Sequence, residues 1–264
     1  MWLAGIAAAV ASLVRARTLR EIRNALRLVL CPIDLWRYFE TTVVLDSLTA
    51  NGPILDIGSP KVVAELVRQR VSAAIVCSDI AREALPRSRA GIRSLQCDAK
   101  HLPFADASIS FVFSVSAVEH IAGEGDRAAV REIARVLTSG GIAVITVPLV
   151  ATYIERWIDA DPYGKQARDS EGRVFFSRYY DWQTLIDRIA SADRLRIRNM
   201  FAWQEKRAGW YEGYCRATER SVSLRSVITK LFDGIWAAYR IEPVTGGAEY
   251  VTRHGIAALV LEKD

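Results

Sequence analysis

From Gly52 onward, apolar residues come in short runs that alternate with amphipathic stretches. Residues 53–57 (PILDI) predict a short buried strand that ends at Gly58, Ser59 and Pro60. Proline suits the first turn of a helix, and Val63, Leu66 and Val67 give that helix one apolar face. Residues 73–77 (AAIVC) predict a second strand, closed by Ser78 and Asp79. A weaker third run covers 92–96, and 109–113 (ISFVF) is a fourth, rich in β-branched and aromatic residues. Val130, Ile133, Ala134 and Leu137 then recur at helical spacing up to Gly140 and Gly141, and 142–147 (IAVITV) predict a fifth strand. Continuous apolar strands alternating with helices predict an α/β fold, a parallel sheet covered by helices on both faces.

The pattern loosens after Pro148. Residues 155–173 are polar and charged and predict an exposed loop. Asp181 is placed to start a helix with Leu185, Ile186 and Ile189 inward, 195–201 predict a sixth strand, and 255–261 (GIAALVL) a seventh. The intervening segment is longer than a hairpin needs and predicts an insertion at about 203–250. It carries Trp203, Trp210, Tyr211 and Tyr214 and a helical stripe of Leu224, Val227, Ile228, Leu231 and Ile235. Those aromatics either wall an acceptor pocket or pack the core beneath the extra helix, and packing is the commoner use.

An N-terminal helical arm is predicted over 1–48, ahead of the main domain at 49–264. Residues 1–14 are uncharged and apolar but too short to span a bilayer, and their positive charges follow the apolar run, unlike those of a signal peptide. Thr18 and Glu21 form a capping-box pattern, and Leu19, Ile22, Leu26 and Val29 share one helical face beside Arg20, Arg23 and Arg27. Such a helix packs on its own domain or lies on an anionic membrane surface.

The arm also explains the charge. The chain of 264 residues carries +5, and residues 1–31 hold five Arg and one Glu, +4 of that sum. What remains is a near-neutral domain that gives no reason to expect nucleic acid. With 51% hydrophobic residues the chain is not disordered. Its four cysteines form no C-x-x-C pair, and its three histidines are scattered, so no metal site is expected and a reducing, cytoplasmic setting is. Peripheral contact with the inner membrane surface is the alternative for the arm. Oligomeric state is not legible.

In parallel sheets ligands bind beyond the carboxyl ends of the strands. The residues there are Asp56-Ile57-Gly58-Ser59, Asp79, Asp98-Ala99 and Ser114-Val115-Ser116, with Glu119-His120 close behind. An acid after the second strand suits two ribose hydroxyls, and Gly58 lets a backbone approach a ligand closely.

ILDIG at 54–58, SDI at 78–80, CDAKHLPFADASISFVFSVSAVEHI at 97–121 and REIARVLTSGGIAVITVP at 131–148 resemble the class I S-adenosylmethionine-dependent methyltransferases, in particular those acting on small molecules and lipids. The resemblance covers roughly residues 50 to 150. It implies a Rossmann-like doubly wound sheet, mostly parallel with an antiparallel last strand, and S-adenosyl-L-methionine as cofactor. It places Asp56, Gly58, Ser59 and Ser114 by the methionine and ribose portions. Asp79 would bind the ribose diol with Ile80 against the adenine, and Asp98 and Ala99 would meet the adenine edge. Arg37, Tyr38 and Phe39 would close over the cofactor. The turn departs from the family's G-x-G form, reading Gly58-Ser59-Pro60-Lys61, so Ser59 is expected in a conformation that glycine reaches more easily.

Transfer to a hydroxyl needs a base, and His120 is the candidate, against the alternative of a structural histidine at a helix start. Glu119 either orients His120 or faces solvent, and solvent is the expectation; His101 is expected in a loop, and His254 near the pocket from the far side. The expected activity is methyl transfer to a small-molecule or lipid-like acceptor at oxygen. The alternatives are a non-catalytic binding protein on the same fold and, from the Arg-rich arm, an RNA methyltransferase.

Overall fold

A computed structural model describes residues 35–48, 52–159, 168–192, 194–219, 232–245 and 250–264. The predicted helix at 18–29 and the stripe residues Leu224, Val227, Ile228 and Leu231 lie outside them.

Helix α1 (Arg37–Asp46) leads into strand β1 (Ile54–Ile57), helix α2 (Lys61–Arg68), β2 (Ile75–Asp79), β3 (Ile92–Gln96) and β4 (Ile109–Val115). Then follow α3 (Gly125–Val136), β5 (Leu137–Leu149), β6 (Ile154–Ile158), β7 (Val174–Tyr179) and β8 (Leu195–Glu205). Helices α4 (Trp210–Glu219) and α5 (Asp233–Arg240) precede β9 (Ile241–Pro243) and β10 (Gly255–Lys263). The main sheet runs β3-β2-β1-β4-β5-β10-β8-β9. Strands β1 to β5 are parallel, and β10 runs antiparallel to both β5 and β8. The seven predicted strands are all present, in a mostly parallel Rossmann-like sheet with an antiparallel last strand.

Both sheet faces are apolar because both are covered. On one, Val130, Ile133 and Val136 of α3 pack against Leu55, Val112 and Ile145. On the other, Val63 and Val67 of α2 and Val43 and Val44 of α1 pack against Ile54, Phe111 and Val144. Helix α1 therefore contributes to the domain core.

Four local expectations differ from the structure. Helix α3 stops at Val136, and Gly140 and Gly141 fall inside β5, where the chain bulges between the pairs Ile109–Leu137 and Phe111–Ile142. The polar stretch predicted as a loop contains β6, which pairs with β7 in a separate two-stranded sheet. Four of its five residues are exposed, so the strand shows no apolar alternation to read. Ile235, expected on a buried stripe, is 50% exposed on α5. Strand β8 runs on to Glu205, so the insertion starts after the strand that the aromatic run extends.

Trp210, Tyr211 and Tyr214 join Leu35, Trp36 and Ile256 in a third apolar cluster, so they are chiefly packing. Among the described residues no helix is long and apolar enough to cross a membrane.

Candidate active site

The strand order reverses between β1 and β4, and a crevice forms there because successive helices leave for opposite faces. A cavity of about 710 Å³ lies at these strand ends, lined by Gly58, Asp79, Ile80, Asp98, Ala99, Ser116 and His120 among others. That size is within the roughly 300–1,000 Å³ of small-molecule sites.

The turn after β1 is built by side chains. Gly58 sits at φ +65°, and a Cβ there would come 2.9 Å from the Cβ of Ala117. Its N–H donates to the Ser78 carbonyl at 2.9 Å. Ser59 does not take the left-handed conformation expected of it; only Gly58 does. The Ser59 N–H donates to Asp56 Oδ1 at 3.1 Å, and its hydroxyl accepts the Val115 N–H at 2.9 Å. The serine thus ties β1 to β4, which a glycine in its place would not do.

Asp56 is fully buried, and burial raises its carboxyl above the usual range while Lys61 opposes that shift. Lys61 Nζ lies 3.5 Å from Asp56 and 3.8 Å from Asp79, linking the acids at the ends of two neighbouring strands. Asp56, Ser59 and Ser114 are buried beside the cavity and are not among its lining residues. The Ser114 hydroxyl donates to the Ile57 carbonyl at 3.0 Å.

Asp79, Ile80, Asp98 and Ala99 come together around one end of the cavity. Asp79 Oδ1 accepts the Ala81 N–H, and Asp98 Oδ1 accepts the Lys100 N–H, each at 2.9 Å. Those bonds aim the carboxylates. Ile80 is 61% exposed, a large apolar side chain left on the cavity edge.

Polar groups from distant segments meet at the opposite end. Glu40 of α1 is fully buried, and its Oε1 accepts from Ser116 Oγ at 2.7 Å and Thr146 Oγ1 at 2.6 Å. Its other oxygen pairs with Arg37, whose Nη1 also donates to Ser116 Oγ at 2.7 Å. Ser116 holds φ +47°, a left-handed conformation fixed by this network. Arg37 therefore reaches the cavity wall, while Phe39 packs on Trp203 at 5.2 Å. Glu40 and Thr146 were not picked out from the sequence. The available signal was a lone acid on the same helical face as Val43 and Val44.

His120 lines the cavity, with Nδ1 2.6 Å from the Phe176 carbonyl. A carbonyl only accepts, so Nδ1 carries the hydrogen and Nε2 the lone pair. Burial lowers the His120 pKa, and the Arg37 and Arg156 charges lower it further. Glu119 is not in solvent: it is 2% exposed, burial pushes its carboxyl up to about 8, and its Oε1 lies 3.8 Å from His120 Nε2. The sequence could not show this because β7 and α1, which cover it, come from elsewhere in the chain. His101 is exposed, as expected of a loop residue. His254 stacks on Tyr211 at 4.5 Å, and burial holds its pKa down to about 4. Among the described residues no cluster is suited to hold a metal ion.

Residues 55–145 match the family model for a methyltransferase domain. By that match, the chain carries a segment similar to a methyltransferase domain over about a third of its length. No curated protein matches the sequence. Of solved structures, the MccD protein aligns at TM-score 0.57 and 12% identity over 88% of this chain and 99% of its own. The [4+2]-cyclase SpnF aligns at 0.52 and 17%, over 86% and 82%. Geranyl diphosphate C-methyltransferase from Streptomyces coelicolor A3(2) aligns at 0.51 and 12%, over 86% and 78%. At these identities the structural likeness is one of fold, and a cyclase stands beside methyltransferases on it.

The residues present fit the cofactor of such a domain. Gly58 packs closely on Ala117 at the cavity wall, where a Cβ would come 2.9 Å from the Ala117 Cβ, and Asp79 offers acceptors to a diol. S-adenosylmethionine contains no pyrophosphate, so a turn cross-linked by Ser59 does not forfeit a needed phosphate cradle.

Proposed function

We propose that the chain methylates a small-molecule or lipid-like acceptor at oxygen. The observation that carries this reading is His120. A neutral imidazole stands at the cavity wall with its tautomer set by the Phe176 carbonyl, at the end away from Asp79.

Asp79 binds the ribose hydroxyls, Ile80 covers the adenine, and Asp98 accepts from its amino group with Ala99 alongside. Asp56, Ser59 and Ser114 act from behind, holding β1 and β4 in the register that shapes the wall. S-adenosylmethionine supplies an electrophilic methyl group on a sulfonium for in-line displacement. His120 Nε2 takes the acceptor's O–H proton as the new C–O bond forms, leaving a methyl ether, S-adenosylhomocysteine and an imidazolium. Arg37 and the Glu40 network fix Ser116 beside this exchange.

The test is transfer of labelled methyl from S-adenosylmethionine to small molecules extracted from the producing cell. The wild type should give labelled product, and His120→Gln should lose it while keeping S-adenosylhomocysteine affinity. Product formation unchanged in His120→Gln would remove the base assignment. A wild type that binds cofactor but labels nothing would favour a binding protein instead. Peripheral membrane contact rests on the sequence of residues 1–34. Flotation with anionic liposomes that is equal for the full chain and one starting at Leu35 would reject it.

A further inference from the structure

The segment that leads from His120 into helix α3 forms part of the cavity wall. Ile121 and Ala122 line the cavity, and Gly123 turns the chain at φ +61°. The carbonyls on either side of Ala122 accept from one side chain. Arg178 Nη1 donates to the Ile121 carbonyl at 2.9 Å, and Arg178 Nη2 donates to the Gly123 carbonyl at 2.8 Å. Arg188 Nη2 adds a bond to the Gly123 carbonyl at 2.6 Å.

Arg178 lies on β7, and its side chain is fully buried. Its counter-charge is Asp126, also fully buried, with Oδ2 2.9 Å from Arg178 Nη1. Asp126 sits in the first turn of α3, where the helix end favours an acid. The Tyr180 hydroxyl and Arg188 Nε each donate to the same Asp126 oxygen at 2.8 Å. An ion pair that only closed the core would need Asp126 alone. Here the guanidinium also directs donors to two backbone carbonyls of the wall. A planar fork can meet two carbonyls and a carboxylate together, whereas an ammonium is a single point of charge.

The same strand holds the imidazole itself. Two residues before Arg178, the Phe176 carbonyl accepts from His120 Nδ1 at 2.6 Å. One strand thus grips both the ring and the backbone just after it. Phe176, Arg178, Tyr180 and Arg188 all come from outside the family-matched residues 55–145.

We propose that Arg178 is a positioning residue for His120. By tying the Ile121 and Gly123 carbonyls to β7, it fixes the backbone after the imidazole, so that Nδ1 meets the Phe176 carbonyl and the ring keeps the tautomer that base chemistry at Nε2 requires. The use made of this clamp rests on the methyl-transfer reading above.

The test is the ring 15N spectrum of His120 in the full chain labelled at histidine, with the signal assigned by its loss in His120→Gln. Spectra are compared for the wild type, Arg178→Met, Arg178→Lys and Arg188→Gln, each below its melting temperature and at roughly pH 8, where imidazoles are neutral. The wild type should show the Nδ1–H tautomer. Arg178→Met should populate the Nε2–H form. Arg178→Lys keeps a charge beside Asp126 without the fork, and should populate that form to a smaller extent. Arg188→Gln leaves the Ile121 bond in place, so it should lower stability without changing the tautomer. A wild type in the Nε2–H form, a wild-type tautomer kept in both Arg178 variants, or an equal change in Arg188→Gln would overturn the proposal. If Arg178→Met does not fold, Arg178→Lys decides alone. Failure of the wild type to bind S-adenosylhomocysteine would instead reject the methyl-transfer reading, and the spectra still decide the clamp.

Discussion

At the Asp79 end of the cavity, each polar group belongs to a residue that follows a parallel strand, and its nearest partners are a few residues away. Asp79 is aimed by Ala81, and Asp98 by Lys100. The His120 end is assembled from afar. Glu40 reaches Thr146 across 106 residues of chain, and His120 is fixed by a carbonyl 56 residues on. The first end is a property of the strand–turn–helix unit. The second is a property of what packs on that unit, and it is where relatives on one fold can differ in chemistry.

That contrast predicts separable losses. The largest effect is expected from His120→Gln, roughly 10²- to 10⁴-fold in turnover with cofactor affinity unchanged, since a general base typically contributes that much. Because the His120 pKa is lowered, the base form persists below the usual imidazole range, and the acid limb of the rate profile should fall below pH 6.5. A limb at or above that pH would contradict the arginine-facing, buried position.

Asp79→Ala should act oppositely. Losing charged hydrogen bonds to a diol costs about 3 kcal/mol, roughly 100-fold in cofactor affinity. Turnover at saturating cofactor should change far less.

Glu119 sharpens the comparison through stability. The unfolded chain ionises this group near pH 4.5, while the folded chain keeps its proton to about 8. The folded state holds the extra proton in between, so stability falls as pH rises across that window, by roughly 1 kcal/mol per pH unit. Urea unfolding from pH 5 to 8 should show the slope in the wild type and a flatter one in Glu119→Gln. Equal slopes would mean that the carboxyl is solvated.

Gly58→Ala gives the smallest effect, about 1–2 kcal/mol of stability from an L-residue forced into the left-handed region. It also brings a methyl group against Ala117, so cofactor affinity should fall too. Thermal unfolding with and without S-adenosylhomocysteine separates the two losses.

The same division sets what could be read before any coordinates. The seven strands were legible because continuous apolar runs closed by Gly, Pro or Asp repeat a local pattern. Asp79, Ile80, Asp98 and Ala99 were legible as strand-end residues. Asp56, Ser59 and Ser114 share that position, but their side chains are buried: Ser59 and Ser114 bond between β1 and β4, and Asp56 accepts the Ser59 N–H. Glu119 and Glu40 defeated the sequence for one reason: a carboxylate's burial depends on segments that no local period encodes. β6 was missed because a strand exposed along most of its length carries no apolar signature.

The most direct measurement is calorimetric titration of S-adenosylhomocysteine into the wild type, Asp79→Ala and His120→Gln side by side. Binding should be present in the wild type, equal within about two-fold in His120→Gln, and roughly 100-fold weaker in Asp79→Ala. No binding to the wild type, or undiminished binding to Asp79→Ala, would contradict the proposed placement of the cofactor at the ends of β2 and β3.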